Sequence, residues 1–335
     1  MKAIKLGSPF GLNTLAVADI ADPGQPGPGE IRVRIRASSL NFHDLGVVSG
    51  KAGAQSGRIP MSDGAGVVEA VGPGVTDFAV GDAVVSTFFP LWEDGAATIG
   101  DFAGTPGDGI DGFAQEYVVR SAKAFTHAPR GWSHAEAATI TTAGLTAWRA
   151  LVADGGLKAG DTVLTLGTGG VSIYALQIAK LMGAAVVITS SSDEKLERAA
   201  ALGADYGVNY RRNPLWGDAA RAWTDGRGVD HVIEVGGPGT LAQSMTAVRV
   251  GGHISMIGVL TGRSGDVPTG LLLARQARLQ GLIVGSRRQQ QEFVAALNLS
   301  KLRPVIDATF ALEDLADAFE LQAAGKHFGK IVVEW

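Results

Sequence analysis

Two hydrophobic periods divide the chain. From Met1 to about His127, apolar and polar residues alternate in short runs: Glu30–Ala37 (EIRVRIRA), Gly66–Val71 (GVVEAV), Asp82–Ser86 (DAVVS) and Gln115–Arg120 (QEYVVR). A period of two belongs to half-buried strands, and the Gly/Pro clusters between the runs (ADPGQPGPGE, VGPGVTD) are turn signals. This half predicts a small, irregular antiparallel barrel or sandwich. Beyond His127 the period changes. Ser133–Val152 is Ala-rich and helical in pattern, and Thr162–Leu166 (TVLTL) is a short buried-type strand. Val171–Met182 sets Val171, Tyr174/Ala175, Ile178 and Leu181/Met182 on one helical face, with Gly183 to end it. Ala185–Thr189, Val229–Val235, Gly252–Ile257 and Leu279–Val284 read as strands, separated by helical stretches such as Glu194–Leu202. Near-continuous apolar strands alternating with helices predict a parallel, doubly wound sheet. From about Arg303 the alternating texture returns and ends in Lys330–Trp335 (KIVVEW). The expected organisation is a β-barrel domain over 1–127, completed by 303–335, with an α/β domain over 128–302 inserted between.

Composition narrows the function classes. With 46% hydrophobic and 19% charged residues, 335 residues suit two globular domains. A formal charge of −4 attracts no polyanion, so nucleic acid is not an expected partner. No apolar run approaches the ~18 residues of a membrane span, and MKAIKLGSPF meets Gly and Pro before a signal-peptide core forms. A soluble, cytoplasmic protein is expected. The absence of cysteine removes disulfides, thiolate nucleophiles and every cysteine-containing zinc site. The histidines at 43, 127, 134, 231, 253 and 327 include no pair with metal-helix spacing.

The strongest motif is Gly167-Thr168-Gly169-Gly170-Val171-Ser172. It follows the strand TVLTL and opens a helix, the context in which such a turn holds a dinucleotide pyrophosphate. Gly167 permits the tight turn, Gly169 lets backbone approach the phosphates, and the helix N-terminus offers N–H groups to them. Ser172 replaces the third glycine. NAD sites place a carboxylate about 20 residues on, at the tip of the second strand; here the tip is Thr189-Ser190-Ser191-Ser192. Asp193 comes late and looks like a helix start, with Ser191 and Glu194 at capping-box spacing. Ser190, Ser191 and Lys195 suit a 2′-phosphate instead, and Tyr210 with Arg211 could cover the adenine and add charge. NADP(H) is expected over NAD(H).

These residues, with the barrel-like first half, resemble the medium-chain dehydrogenase/reductase superfamily over essentially the whole chain. Ser62–Val85 resembles its GroES-like catalytic domain, and Tyr206–Tyr210 (YGVNY) and His327–Val332 (HFGKIV) look like further signatures. The resemblance implies a Rossmann cofactor domain and hydride chemistry. It also poses the question of zinc. In the alcohol dehydrogenase branch a cysteine, a His-Glu pair and a second cysteine surround the metal. By local similarity those places fall on Asn41, Ser62-Asp63 and Thr142, and the four-cysteine structural lobe falls on the cysteine-free Phe88–Gly112. Both metals are expected to be absent. The chain thus looks like the zinc-independent, quinone-oxidoreductase-like branch, in which NADPH reduces a quinone, an activated alkene or a carbonyl.

Without a metal, hydrogen-bond donors must orient the substrate and stabilise the developing oxyanion. Asn41 is the first candidate and His43 a candidate proton donor, since imidazoles change charge near neutrality. Thr142, the third catalytic candidate, and Thr146 are expected near the nicotinamide. Asp63 and Asp44 are expected to orient neighbours. Three loops after the later strands are expected to complete the nicotinamide pocket: Val235-Gly236, Ile257-Gly258-Val259, and Val284 with Ser286. Phe88, Phe89 and Trp92 are candidates for an apolar substrate wall. By analogy with relatives, a homodimer joined at strand Leu279–Val284 is expected. The rival readings are a zinc-free alcohol/aldehyde oxidoreductase of the same fold and a non-catalytic NADPH-binding protein.

Overall fold

The computed structural model describes residues 1–51 and 55–335. Among them the chain forms two compact units, Met1–Leu145 with Val284–Trp335, and Thr146–Ile283. The seams differ from those drawn by texture at 127/128 and 302/303, because packing rather than periodicity assigns the flanking helices. In the first unit, the Arg287 guanidinium donates to the Phe125 carbonyl at 2.9 Å, and the buried Gln290 amide donates to Thr126 Oγ1 at 2.8 Å and to the Ser86 carbonyl at 3.0 Å. Residues 284–302 are therefore bonded to the barrel.

Strands and helices are numbered in chain order. In the first unit β1 (Lys2–Lys5) and β2 (Ala16–Asp19) form a small antiparallel ribbon. The main sheet centres on β3 (Glu30–Ser39). Ile31, Val33, Ile35 and Ala37 on β3 are buried, whereas Arg32, Arg34 and Arg36 are only half-buried, as the alternating run requires. Antiparallel to it run β4 (Ala65–Val71) on one side, with β5 (Ala83–Ser86) and β7 (Phe125–His127) beyond it. On the other side lie β6 (Tyr117–Ser121) and the C-terminal β15 (Lys330–Glu334). β14 (Ile306–Ala311) extends the sheet parallel to β15. One apolar core gathers Ile31, Val33, Val84, Phe113 and Phe125, and a second gathers Leu40, Val47, Met61, Phe319 and Val333. The helix α1 (Phe42–Val48) follows β3 directly, and α2 (His134–Ala138) carries a capping box between Ser133 and Glu136.

The second unit is a six-stranded parallel sheet in the order β10-β9-β8-β11-β12-β13. Its strands are β8 (Thr162–Leu166), β9 (Ala185–Ser190), β10 (Tyr206–Asn209), β11 (Val229–Glu234), β12 (Val248–Met256) and β13 (Arg278–Gly281). The order reverses between β8 and β11, the switch point beyond which nucleotides bind in such sheets. Every residue of β8 is buried, which explains its unbroken apolar run. Trp216, Leu241 and Met245, from α6 (Trp216–Trp223) and α7 (Pro238–Ala247), cover one face with Leu164, Val232 and Ile254. The helices α4 (Gly170–Leu181) and α5 (Asp193–Ala201) follow β8 and β9.

Candidate active site

The glycine turn joins β8 to α4. Gly167 has φ +71°, a left-handed conformation that favours glycine. Gly169 has φ −80°, which any residue adopts, and a Cβ built there meets no protein atom within 4 Å. Neither strain nor packing requires that glycine, and the space against the helix start is open. Ser172, in place of the third glycine, is buried and donates its hydroxyl to the Leu166 carbonyl at 2.6 Å. The bulkier residue thereby fastens the helix to the strand it follows. Thr189 Oγ1 accepts from Gly167 N–H at 3.2 Å, so the tip of β9 supports the turn. These groups fit a dinucleotide pyrophosphate.

At the adenosine end, α5 begins one residue later than capping-box spacing suggests. Ser192 is the N-cap and accepts from Lys195 N–H at 3.3 Å, while Ser190 Oγ accepts from Ser192 N–H at 3.3 Å. Competition between adjacent serines hid that choice in the sequence. The Asp193 carboxylate is already engaged: Asn209 Nδ2 donates to one oxygen at 2.6 Å, and Arg212 lies 2.5 Å from the other. Ser191 and Lys195 are half-buried, and Tyr210 and Arg211 are exposed.

Two of the three expected nicotinamide loops are bonded to each other. Ile257 N–H donates to the Glu234 carbonyl at 2.8 Å, and Thr261 N–H donates to the Gly236 carbonyl at 2.8 Å. A Cβ at Gly258 would stand 2.2 Å from the Val235 carbonyl oxygen, so glycine is required by this approach. Behind the loop lies Glu234, fully buried, a residue sequence reasoning passed over as part of a strand. Its Oε1 accepts from Gly236 N–H (2.7 Å), Gly237 N–H (2.9 Å) and Thr240 Oγ1 (2.6 Å), and its Oε2 accepts from the Ser244 hydroxyl. One buried carboxylate fixes the turn from β11 into α7. Val259 is exposed. The third loop belongs to the other unit. There Val284 has φ +45°, a strained value for a β-branched residue, and buried Ser286 caps α9 (Arg287–Leu299) by accepting from Gln289 N–H at 3.2 Å.

Within the first unit, the residues singled out near the end of β3 form one buried polar cluster. Asn41 is the N-cap of α1, and its backbone N–H donates to Asp44 Oδ2 at 2.9 Å. Asp44 Oδ1 accepts from Ser62 N–H at 2.8 Å, so this carboxylate ties the helix start to the 59–64 loop. The Asn41 amide is occupied on both sides. Its Nδ2 donates to the Ser39 carbonyl at 3.2 Å, and its Oδ1 accepts from Lys330 Nζ at 2.6 Å. Lys330 also donates to the Leu40 carbonyl at 2.5 Å. Asp63 accepts from Ser39 Oγ (2.6 Å) and from Thr142 Oγ1 (2.6 Å). Burial pushes the Asp63 carboxyl up to about 6; the Lys330 ammonium opposes this and the Asp44 charge adds to it. Burial likewise lowers the Lys330 ammonium, against the pull of Asp63 and Asp44. Thr142 lies in a widened helical turn, Ile140–Gly144, a feature often found at functional sites. Thr146 is buried four residues on, in the second unit.

His43 stands apart from that cluster. Its Nε2 is 3.3 Å from Asp108 Oδ2, and its ring packs on Phe102 at 4.5 Å and edge-on to Phe88 at 5.4 Å. Phe88, Phe89 and Trp92 are buried and pack on one another, with Phe89 stacked on Phe102. Together with Phe102 they form a packed aromatic cluster. The loop pairing that brings Asp108 to His43 left no mark in the sequence.

The fold's usual zinc does not fit these residues. The positions expected of its ligands hold an amide, two hydroxyls and one carboxylate, and an ammonium bonds the amide. Among the described residues, no group of three or more His, Cys, Asp or Glu could hold a metal ion. Nor, among them, is any helix long and apolar enough to cross a membrane.

Comparison with known proteins agrees with this anatomy. A family model described as an alcohol dehydrogenase GroES-like domain matches residues 27–130, and one described as a zinc-binding dehydrogenase matches residues 170–301. A zinc-type alcohol dehydrogenase-like protein of Schizosaccharomyces pombe is 41% identical over 335 aligned residues, 97% of this chain and 96% of its own length. A solved NAD-dependent alcohol dehydrogenase superposes with a TM-score of 0.90 at 36% identity, covering 100% of both chains. The crotonyl-CoA carboxylase/reductase AntE, solved in complex with NADP, gives 0.84 at 25% identity, covering 100% of this chain and 94% of its own.

Proposed function

The chain belongs to the medium-chain dehydrogenase/reductase superfamily and is an oxidoreductase, and on that premise we propose a zinc-independent, NADPH-dependent reductase of quinones or conjugated carbonyls (enones and enals). The observation that carries this reading is the Lys330 ammonium bonded to Asn41, a cation of the protein's own among the positions where zinc-dependent relatives hold a metal. Bound NADPH would supply the hydride. The turn Gly167–Ser172 would hold the pyrophosphate, and Ser190, Ser191 and Lys195 with Arg211 the 2′-phosphate. Tyr210 would cover the adenine. The joined loops 235–237 and 257–259 would seat the nicotinamide end, their geometry fixed by Glu234.

A second reading, reversible reduction of an aldehyde or ketone with NADH, draws on the name of the NAD-dependent neighbour. Steady-state assays with NADPH and NADH over quinones, enones and aldehydes, with metal analysis of the same sample, separate the two. Faster consumption of NADH with every acceptor, or stoichiometric zinc, would sink the first. We further propose a cytoplasmic homodimer with no nucleic-acid or membrane partner. The edge position of β13 and the exposure of Leu271 and Leu273 on the adjacent α8 (Thr269–Arg275) support strand-to-strand pairing. A monomer by sedimentation would refute it.

A further inference from the structure

Within the reductase reading, which it rests on, we propose that the Thr142 hydroxyl protonates the reduced substrate and that Asp63 behind it replaces that proton. The geometry points to this pair over Asn41 and His43, the other two catalytic candidates. The Asn41 amide has its oxygen on Lys330 and its nitrogen on the Ser39 carbonyl. His43 is packed between Phe88 and Phe102 and faces Asp108. Thr142, in contrast, is half-buried, whereas Asp63 and its other hydroxyl partner Ser39 are fully buried. A proton leaving Asp63 by a hydrogen bond to an accessible group leaves through Thr142.

The polarity of one bond makes the pair work. When Asp63 is ionised, Thr142 donates its only proton to Oδ1, at 2.6 Å, and has none for a substrate. When Asp63 is protonated on Oδ1, that bond reverses. Asp63 donates to Thr142 Oγ1, and the threonine proton points away. Ser39 continues to donate to Oδ2 in both states. Hydride adds to the electrophilic carbon, the resulting enolate or alkoxide takes the Thr142 proton, Oγ1 takes the Asp63 proton, and a carboxylate remains. Solvent returns the proton through Thr142 after product leaves. The charges facing Asp63 are Lys330 from β15 and Asp44 from α1. Burial and Asp44 favour the protonated form, and Lys330 limits how far, so the carboxyl titrates within reach of neutral pH rather than far below it.

The test is the pH dependence of kcat for acceptor reduction with NADPH, in wild type, T142V, T142S, D63N and H43Q. A positioned general acid contributes about 10²–10⁴-fold. T142V, which keeps the shape and loses the hydroxyl, is expected to fall by that factor. T142S is expected to recover to within about tenfold of wild type. D63N is expected to lose the fall in kcat that wild type shows as pH rises through the carboxyl's pKa. NADPH affinity by fluorescence reports whether each variant is folded. T142V with wild-type kcat and pH profile overturns the pair, as does transfer of the pH effect to H43Q. Equal damage in T142V and T142S also overturns it, since that marks a packing role. Wild-type protein that reduces no acceptor overturns the reductase reading and this pair together.

Discussion

Glu234 gives the sharpest test of how the candidate cofactor loop is held. Replacing it by alanine removes the acceptor for two buried backbone N–H groups, Gly236 and Gly237, and for the hydroxyls of Thr240 and Ser244. Thr240 has a second acceptor in the Gly237 carbonyl at 3.1 Å, so its loss is partly made good. The two amides have no such recourse. Each buried donor left unpaired costs about 1–3 kcal/mol, so E234A should lose about 3–5 kcal/mol of unfolding free energy. Glutamine should lose much less, about 1–2 kcal/mol. Its carbonyl can keep the three donors of Oε1, and its amino group can face Ser244, whose hydroxyl turns to accept. Urea denaturation of the three proteins measures the ladder, and NADPH titration measures its functional consequence. E234A, if folded, should bind NADPH more weakly than E234Q, because the 235–237 turn is no longer pinned. Loss of less than about 1 kcal/mol in E234A, or identical stability of the two variants, would refute this account of the loop.

Lys195→Ala should weaken NADPH by roughly 1.5–3 kcal/mol and leave NADH nearly unaffected; equal losses in a paired titration would move the phosphate elsewhere. Gly169→Val should leave stability within about 1 kcal/mol, since the added atoms enter open space at an ordinary φ, yet reduce NADPH affinity at least about tenfold by filling the place of the pyrophosphate. Unchanged affinity would show that the turn holds nothing. Finally, His253 is buried and lowered to about 4, by burial first and then by Arg278 and His231. Its Nδ1 accepts from Arg278 Nε at 2.6 Å, and its Nε2 lies 3.0 Å from Ser255 Oγ. Because the folded pKa is depressed, the unfolded chain binds the extra proton. Stability is fully present above pH ~6.5 and declines as pH falls towards ~4, by up to about 3 kcal/mol. The stability–pH slope of His253→Gln, compared with wild type over that window, tests the claim; identical slopes would refute it.

What the sequence disclosed and what it hid divide along physical lines. β8, α4 and β9 were legible because their features are local: an unbroken apolar run, a 3.6-residue stripe, and glycines between. β3 was legible through alternation, since one face of that strand meets the core and the other carries three arginines. The domain seams were not. Residues 284–302 show the helical texture of the cofactor domain, and only long-range bonds such as Gln290 to Thr126 assign them to the barrel. Glu234 escaped for the same reason. A carboxylate at the end of an apolar strand looks like a solvent-facing terminus until the following turn folds its N–H groups back onto it. Asn41, Asp63 and Thr142 were found by resemblance to metal positions, but their partner Lys330 was not. It sits in HFGKIV, 188 residues beyond Thr142 and more than 260 beyond Asn41 and Asp63, and a lysine in an exposed-looking tail gives no signal of burial.

Lys330 also explains why the cluster can exist at all. Asp44 and Asp63 are both about 1% exposed or less, and two like charges in one dry site repel. Each is compensated differently. Asp44 takes two backbone N–H groups, which fix it as a permanent strut between α1 and the 59–64 loop. Asp63 takes two hydroxyls, of which Thr142 can reverse its bond, and the field of one buried ammonium, which cannot. A backbone N–H can only donate, so the bonds to Asp44 cannot reverse; the Thr142 hydroxyl bonded to Asp63 can. The asymmetry between the two aspartates therefore separates structure from chemistry within a single cluster. Lys330→Met should leave two buried carboxylates without their cation and raise the Asp63 pKa, moving the pH effect on kcat to higher pH, while Lys330→Arg should move it less. A profile that stays fixed in Lys330→Met, in protein that still binds NADPH, would mean that the ammonium does not act on Asp63.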